Sequence, residues 1–405
     1  MDVIFNEGGV TAPKGFLAAG VHCGIKKHKK DLAVIYSEVL ATAAGVFTTN
    51  KVKAAPVRIT MENLSDGKAQ AIVVNSGNAN ACTGERGLKD ARKMAELVAQ
   101  KLGLNPHDVV VASTGVIGVS MPMDKVRQGI EQCCKSISVY GGADAATAIM
   151  TTDTFKKEMA VKLEIGGKTV TIGGMTKGSG MIHPNMATML CFITTDANIE
   201  AKALKKALKD ATAKSFNMIS VDGDTSTNDM AVVLANGLAE NQLITCGTED
   251  YELFYKGFET VCIELAKMMA RDGEGATKFI EVQVKNAPDE ISAVKAARAV
   301  TRSNLVKTAI FGEDANWGRI ICAVGYSGID FNPDLVDIYI SSRAGEMILA
   351  ENGMGLNFSE DKAKAILSEK DIKVIVDLKQ GDGCATAWGC DLSYDYVKIN
   401  GSYRT

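Results

Sequence analysis

The stretch Gly173-Gly174-Met175-Thr176-Lys177-Gly178-Ser179-Gly180-Met181-Ile182-His183-Pro184-Asn185-Met186-Ala187-Thr188-Met189-Leu190 holds the widest choice of chemistry in the chain. It opens as a glycine-rich loop with one lysine and runs into the apolar, strand-like MLCFITT. Backbone N–H groups of such a loop can cradle a phosphate. The residue order argues against that use, because Lys177 precedes Gly178 and Ser179 and so misses the pattern G-x-x-x-x-G-K-[ST]. A tight hairpin loop with a solvated lysine is the plainer alternative. A third chemistry rests on Ala187-Thr188. A threonine hydroxyl can attack the carbonyl before it, turn the amide into an ester and, after hydrolysis, become a new N-terminal residue. Its freed α-amine, with an ordinary pKa of about 7.7–8.0, can then act as the base for the hydroxyl near neutral pH. Ala187 puts little bulk in the way. The dipeptide is common, so this chemistry needs support from elsewhere in the chain.

Other polar groups offer less. None of the ten cysteines stands in a C-x-x-C pair, and no two of His22, His28, His107 and His183 stand at i, i+4. Zinc sites and thioredoxin-type sites therefore lack their spacing. Most of the cysteines are expected as small core residues in a reducing cytosol. Asp222, Asp224 and Asp229 in DGDTSTND resemble a metal loop at first sight, but the glycine and closing glutamate of an EF-hand are missing, and no metal is expected. Asn75, Asn78 and Asn80 in NSGNANACTG either line a site or cap turns. His183 is expected to be structural. Thr114-Gly115 in VASTGVIG reads locally as a strand-end turn, although a threonine hydroxyl and a glycine N–H are also what an oxyanion needs.

These residues must be held by a mixed fold. AIVV (71–74) and VVVA (109–112) are β-rich runs that end in Asn-Ser-Gly and Ser-Thr-Gly, so they read as buried strands entering loops. MAVKLEI and KTVTIGG flank Gly166-Gly167, a two-residue hairpin turn. ARKMAELVAQKLG aligns Met94, Leu97, Val98 and Leu102 and stops at Gly103. EAKALKKALKDATAKSF aligns Leu204, Leu208 and Ala211 opposite its lysines. TVCIELAKMMARDGEG and ISAVKAARAVTRSNLVKTAIFG show the same helical period. The alternation in Tyr396-Val397-Lys398-Ile399 predicts a terminal strand that folds the tail inward. The interspersed order gives an α/β or α+β class, without repeats, heptads or a Pro/Ser-rich hinge.

Composition bounds the function. With 405 residues, 46% hydrophobic and 23% charged, the chain has ample apolar surface for folding. A net charge of -3 gives no basic excess, so a nucleic-acid partner is not expected. No run approaches the ~18 apolar residues of a membrane span. The start, MDVIFNEGGVTAPKGF, lacks the basic and apolar regions of a secretory signal, and a cytoplasmic location is expected.

The segment KGSGMIHPNMATML closely resembles the cleavage-site motif of the ornithine acetyltransferase (glutamate N-acetyltransferase) family. GVFTTNKVKAAPV (45–57), NSGNANACTG (75–84), VASTGVIG (111–118), IMTTDT (149–154), DGDTSTND (222–229), DGEGATKFIEV (272–282), KTAIFGEDANWGRI (307–320) and DLSYDYVKINGSYRT (391–405) extend the resemblance over nearly the whole chain. The resemblance implies an αββα sandwich and self-cleavage between Ala187 and Thr188, giving an α chain of residues 1–187 and a β chain of residues 188–405 that stay associated as a heterotetramer of two α and two β chains. It implies an enzyme of arginine biosynthesis in which Thr188 takes acetyl from N2-acetylornithine and passes it to L-glutamate through an acetyl-threonine ester, with ping-pong kinetics. Thr114 and Gly115 match the family's oxyanion hole. Thr151, Lys177, Thr188, Glu274, Asn400 and Thr405 match its substrate-binding positions, with Lys177 suited to the carboxylate and Glu274 to the ammonium. No cofactor is implied. Acetyl-CoA is a co-substrate for some members and not others, and no CoA-specific pattern decides it here. The alternative is an N-terminal-nucleophile aminopeptidase or amidase, in which water replaces glutamate as the acceptor.

Overall fold

The computed structural model describes residues 4–6, 8–183 and 189–402. Its strands are β1 (Ile4–Asn6), β2 (Phe16–Val21), β3 (Leu32–Phe47), β4 (Lys68–Asn78), β5 (Val109–Val116), β6 (Lys157–Ile165), β7 (Lys168–Lys177) and β8 (Leu190–Thr195). They continue with β9 (Ile219–Ser220), β10 (Met230–Ala235), β11 (Phe279–Ala287), β12 (Asp337–Ser342), β13 (Gly345–Glu351), β14 (Met354–Gly355), β15 (Asp371–Asp377) and β16 (Gly383–Cys390). The helices are α1 (Ala55–Asn63), α2 (Gly84–Leu102), α3 (Met123–Ser136), α4 (Gly142–Ala148), α5 (Ala201–Lys214) and α6 (Glu249–Arg271). After them come α7 (Glu290–Arg302), α8 (Asn304–Phe311), α9 (Trp317–Gly325), α10 (Glu360–Leu367) and α11 (Tyr394–Ser402).

One sheet runs β1-β6-β7-β8-β10-β3-β4-β5, with β2 also on β3; the other runs β14-β13-β12-β15-β11-β16-β9. The first sheet folds over on itself through its longest strand. Residues 32–36 of β3 pair with β2 and β4, residues 42–47 pair with β10, and the register with β4 breaks between Tyr36 and Ala41. The two halves share one inner core, where Ala33, Ile35, Ile72 and Val110 join Phe192, Val232 and Leu234. The alternate residues point outward and are covered by helices, as the period of two in a strand requires. Val34, Val73 and Val111 pack with Met94, Leu97 and Ile130 of α2 and α3. Leu163, Ile172 and Val233 pack with Leu204, Leu208 and Phe258 of α5 and α6. The result is the expected αββα sandwich. The second sheet joins this outer core through α6, which also touches β16, while α7 covers β11 and β16.

Local expectations hold where burial imposes a period. β4 and β5 pair in parallel from Ala71↔Val109, with α2 as the crossover that a parallel pair needs. Gly166 and Gly167, at φ +57° and +75°, turn β6 into β7 with Ile165 opposite Lys168. Gly103 ends α2 in the left-handed conformation. The helical pattern of 291–312 is broken into α7 and α8 at Ser303, whose hydroxyl accepts from Val306 N–H. Two expectations fail. The tail from Tyr394 is a helix, not a strand, because Ser393 accepts from Asp395 N–H at 3.2 Å and starts a turn there. Of the ten cysteines, only Cys133, Cys191, Cys262 and Cys390 are buried; Cys82, Cys322 and Cys384 are exposed. No helix among the described residues is long and apolar enough to cross a membrane.

Candidate active site

Parallel pairing carries β4 and β5 side by side until both turn at glycine. Gly77 faces Gly115, with φ +98° and +130°. A Cβ on Gly115 would stand 2.4 Å from the Gly77 carbonyl carbon, so only glycine fits. A buried amide network fixes this end. Ser113 Oγ donates to Asn75 Oδ1 (2.6 Å), and Asn75 Nδ2 donates to the Asn78 carbonyl (2.8 Å). Asn80 N–H donates to Asn78 Oδ1 (2.8 Å). Asn228 Nδ2 donates to the carbonyls of Ala79 (2.6 Å) and Ser113 (2.8 Å). Asn75, Asn78 and Asn80 therefore hold the loop and do not line the cleft, while Asn228 does both.

The opposite wall is built on a buried ion triad. The Lys157 ammonium, fully buried, lies 2.7 Å from Asp153 and 2.5 Å from Asp272. Asp153 also accepts from Thr151 N–H (2.9 Å) and Gly178 N–H (2.8 Å). Burial works against its charge, but Lys177, Lys157 and these hydrogen bonds together hold its carboxyl below the ordinary aspartate range. Asp272 accepts from Thr154 N–H and Oγ1. Lys26 donates to the Met150 carbonyl (2.9 Å) behind Thr151; burial pulls its ammonium down to about 8. The triad thus ties together the loop of Thr151, the end of β7 at Lys177 and the exit of α6 before Glu274. Glu274 N–H donates to the Ser179 carbonyl (2.8 Å), and its carboxylate accepts from Asn400 Nδ2 (2.7 Å).

Between these walls lies a cleft of about 170 Å³ whose lining includes Thr114, Gly115, Thr151, Lys177, Asp229, Glu274 and Asn400. Every predicted site residue among the described ones is therefore brought to one place. Lys177 is the last residue of β7 and only 8% exposed, not a solvated loop side chain. Asn400 reaches the rim from α11, so the tail does fold inward, as a helix. Ala187, Thr188 and Thr405 lie outside the described residues.

The chain is held tightly on both sides of residues 184–188. Asp222 accepts from Met181 N–H (2.6 Å) and Ile182 N–H (2.8 Å), and Tyr396 Oη reaches it at 3.3 Å. Met181 has φ +55°, a conformation that side-chain-bearing residues seldom adopt. Thr225 Oγ1 donates to the His183 carbonyl (3.0 Å), and Val221 N–H to that of Ile182 (2.7 Å). The His183 ring sits between Ser220 Oγ (3.1 Å) and Arg298 (3.3 Å); burial, with Arg298 and Arg302 nearby, pushes its imidazole down to about 4. On the far side, Met230 N–H donates to the Met189 carbonyl (2.9 Å). Asp222 and Asp229 thus have separate duties, and the described residues contain no cluster that could hold a metal ion. The sequence reading missed the Lys157 triad and the clamp of Asp222. Asp153 in IMTTDT, Asp272 in DGEGATKFIEV and Asp222 in DGDTSTND stood in the matching motifs, but nothing there marked these roles.

The fold and cleft define a class: an αββα sandwich with a small polar cleft where separate strands end. The chain belongs to the ArgJ family, whose profile matches residues 17–405. It is 61% identical over 399 residues to the arginine biosynthesis bifunctional protein ArgJ of Caldanaerobacter subterraneus, covering 98% of this chain and 99% of that one. The crystal structure of the ArgJ protein of Bacillus halodurans is 51% identical with a TM-score of 0.50, and covers 52% of this chain and 98% of its own. That solved chain is therefore about half as long as this one. The ornithine acetyltransferase of Mycobacterium tuberculosis, solved with ornithine, is 43% identical with a TM-score of 0.43, covering 46% of this chain and 100% of its own.

Proposed function

We propose that the activity of this ArgJ-family acyltransferase of arginine biosynthesis, acetyl transfer from N2-acetylornithine to L-glutamate, runs in the cleft through an acetyl ester on Thr188. The convergence of Thr114, Gly115, Thr151, Lys177, Glu274 and Asn400 on one cleft, beside the start of β8 at Leu190, carries this reading. Scission at Ala187-Thr188 frees the Thr188 amine to serve its own hydroxyl as base. Thr188 Oγ attacks the acetyl carbonyl, and ornithine departs with the proton. The amine of glutamate then attacks the ester and leaves as N-acetylglutamate. Thr114 Oγ1 and Gly115 N–H donate to the oxyanion in both halves, and each such donor contributes about 2.7–4 kcal/mol. The buried Lys177 ammonium, whose charge already holds the Asp153 carboxyl down, lines the cleft and is suited to a substrate carboxylate there. Glu274 takes the ammonium of ornithine, held ready by Asn400. Thr151 and Thr405 complete the substrate contacts.

Residues 1–187 and 188–405 form the two chains of a heterotetramer in the cytoplasm. The half-length chain of the solved Bacillus halodurans relative supports a cut near the middle. The mechanism needs no cofactor, and acetyl-CoA can serve as a second acetyl donor to the same hydroxyl. The test is direct. The wild type should give two bands on a denaturing gel, one beginning at Thr188, and parallel double-reciprocal plots. Thr188→Ala should give one band and no transfer. An active enzyme of unbroken chain refutes the proposal.

A further inference from the structure

We propose that a second cavity, where α7 passes into α8, binds the phosphates of a nucleoside diphosphate. The cavity measures about 420 Å³, and among the described residues it shares no lining residue with the cleft. Lys295, Arg298 and Arg302 line it, and no described aspartate or glutamate does. Spacings of three and four residues put these cations on one face of α7. The site stands apart from the acetyl-transfer reading, and nothing in it depends on Thr188.

The three cations meet without a carboxylate between them. Lys295 and Arg302 form no ion pair with a described residue. Asp289, which feels the Lys295 charge, caps the far end of α7 through Ser292 N–H (2.7 Å). Arg302 packs over Gly223, where a Cβ would stand 3.3 Å from its Nε. Of the acids flanking that glycine, Asp222 is taken up by the N–H groups of Met181 and Ile182, and Asp224 makes no ion pair with a described residue. Arg298 lies 3.3 Å from the His183 ring, which rests on Ser220 Oγ at 3.1 Å. Burial and the Arg302 charge both work against the Arg298 cation. A bound anion relieves that repulsion.

The neutral groups ask for the same ligand. Ser303 lines the cavity and is only 9% exposed. Its hydroxyl accepts from Val306 N–H at 3.3 Å and donates to no described residue, so a buried O–H is left without an acceptor. Asn304 and Leu305 open α8, and their N–H groups have no acceptor within the helix, at its positive end. Guanidinium forks, a spare hydroxyl proton and open N–H groups together suit the acceptor-only oxygens of phosphate. The volume lies in the range of small-molecule sites, about 300–1,000 Å³. Tyr326, on the lining and 61% exposed, offers a ring face on which a base can stack, beside the apolar Val294 and Ala299.

Free ADP and the ADP portion of coenzyme A carry this same chemistry. The experiment titrates the whole protein calorimetrically with ADP, adenosine, pyrophosphate and coenzyme A. ADP should bind at least about tenfold more tightly than adenosine, and pyrophosphate should compete with it. Lys295→Gln combined with Arg302→Gln should weaken ADP about tenfold or more, whereas Arg302→Lys should retain most of the affinity. Tyr326→Ala should weaken ADP and leave pyrophosphate unchanged. Acetyl transfer from N2-acetylornithine to glutamate should keep its wild-type rate in each variant. Coenzyme A binding more tightly than ADP would assign the site to the nucleotide end of a thioester, and ADP binding as tightly or better would assign it to a free nucleotide. No binding of ADP, pyrophosphate or coenzyme A at millimolar concentration overturns the proposal. So does an ADP affinity that matches that of adenosine or survives the double substitution. Should the double variant fail to fold, salt decides on the wild type: ADP affinity should fall severalfold as ionic strength rises, and a salt-independent affinity overturns the site.

Discussion

Lys157→Met tests whether the buried ion triad builds the cleft. The methionine fills nearly the volume of the lysine stem but leaves Asp153 and Asp272 buried without their shared cation, which lies 2.7 and 2.5 Å from them. Removing one partner of a buried ion pair costs about 3–5 kcal/mol, because a buried charge is left uncompensated. At ~2.1 cal/mol/K per residue, a chain of this length has an unfolding entropy of about 0.85 kcal/mol/K. The melting temperature should therefore fall by about 4–6 °C by calorimetry. The loss should also reach the site, since Asp153 holds Thr151 and Gly178 while Asp272 holds Thr154. KM for both substrates should rise more than kcat falls. Adding Asp272→Asn to Lys157→Met removes one stranded carboxylate, so the double variant should be no less stable than Lys157→Met alone. A melting temperature within 1 °C of wild type, or strict additivity in the double variant, refutes the reasoning.

Under the proposed mechanism, Gly115→Ala should lower kcat/KM about 100- to 1,000-fold, the cost of one lost oxyanion donor, because its Cβ would push the end of β5 off Gly77. Gly103→Ala, at φ +72° with nothing near its Cβ, should cost about 1 kcal/mol of stability and leave the kinetics intact, which separates position from backbone strain. His183→Gln should flatten the acid side of the stability profile. The unfolded chain takes up this proton near pH 6.5 and the folded chain only near about 4. The stability due to a neutral His183 is whole above pH 6.5 and is lost as pH falls toward 4. After screening of this partly exposed ring, about 1–2 kcal/mol is at stake. Melting at pH 7.5 and 5.0 measures it, and the Asp229 carboxyl, raised by burial, acts in the opposite direction and is common to both proteins.

The sequence showed most clearly what burial repeats. AIVV and VVVA lie inside the sandwich with both faces covered, so they are continuous apolar runs. α2 and α5 bury one stripe each and show the helical period. The fold-over of β3 was invisible, because Ser37-Glu38-Val39-Leu40 looks like more strand and only pairing with different partners at its two ends bends the sheet. The tail misled because four alternating residues are too few to fix a period. Tyr396 and Asn400, an i, i+4 pair, reach Asp222 and Glu274 from α11. The resemblance in motifs located the cleft residues that compositional reasoning alone would have left as turns and surface charges. It did not show the triad, whose members Asp153, Lys157 and Asp272 come from segments that meet only in the fold. Nor could it tell an acid kept dry from one that binds a metal, which is why Asp229 read first as a loop ligand.

The topology also bears on when the proposed cut could occur and what would follow it. The cleft draws on residues near 114, 151, 177, 229, 274 and 400, so no local hairpin can assemble it. The proposed scission, if it depends on these groups, would have to wait for long-range closure of the sheet, which would protect the nascent chain from premature cleavage. A cut between 187 and 188 would then sever a connection and not a layer. β7 and β8 lie on opposite sides of the cut yet pair along their length, from Ile172↔Thr195 to Lys177↔Leu190. β10 sits between β8 and β3, with Met230↔Phe47 to Ala235↔Thr42 across the same divide. Both inner and outer cores contain residues from each side, such as Ile35 with Phe192 and Leu163 with Leu265. Separating the pieces would break these ladders and expose both cores at once, a cost far above that of the single peptide bond's lost connectivity. Two such pieces would thus stay joined in a fold that has no reason to open.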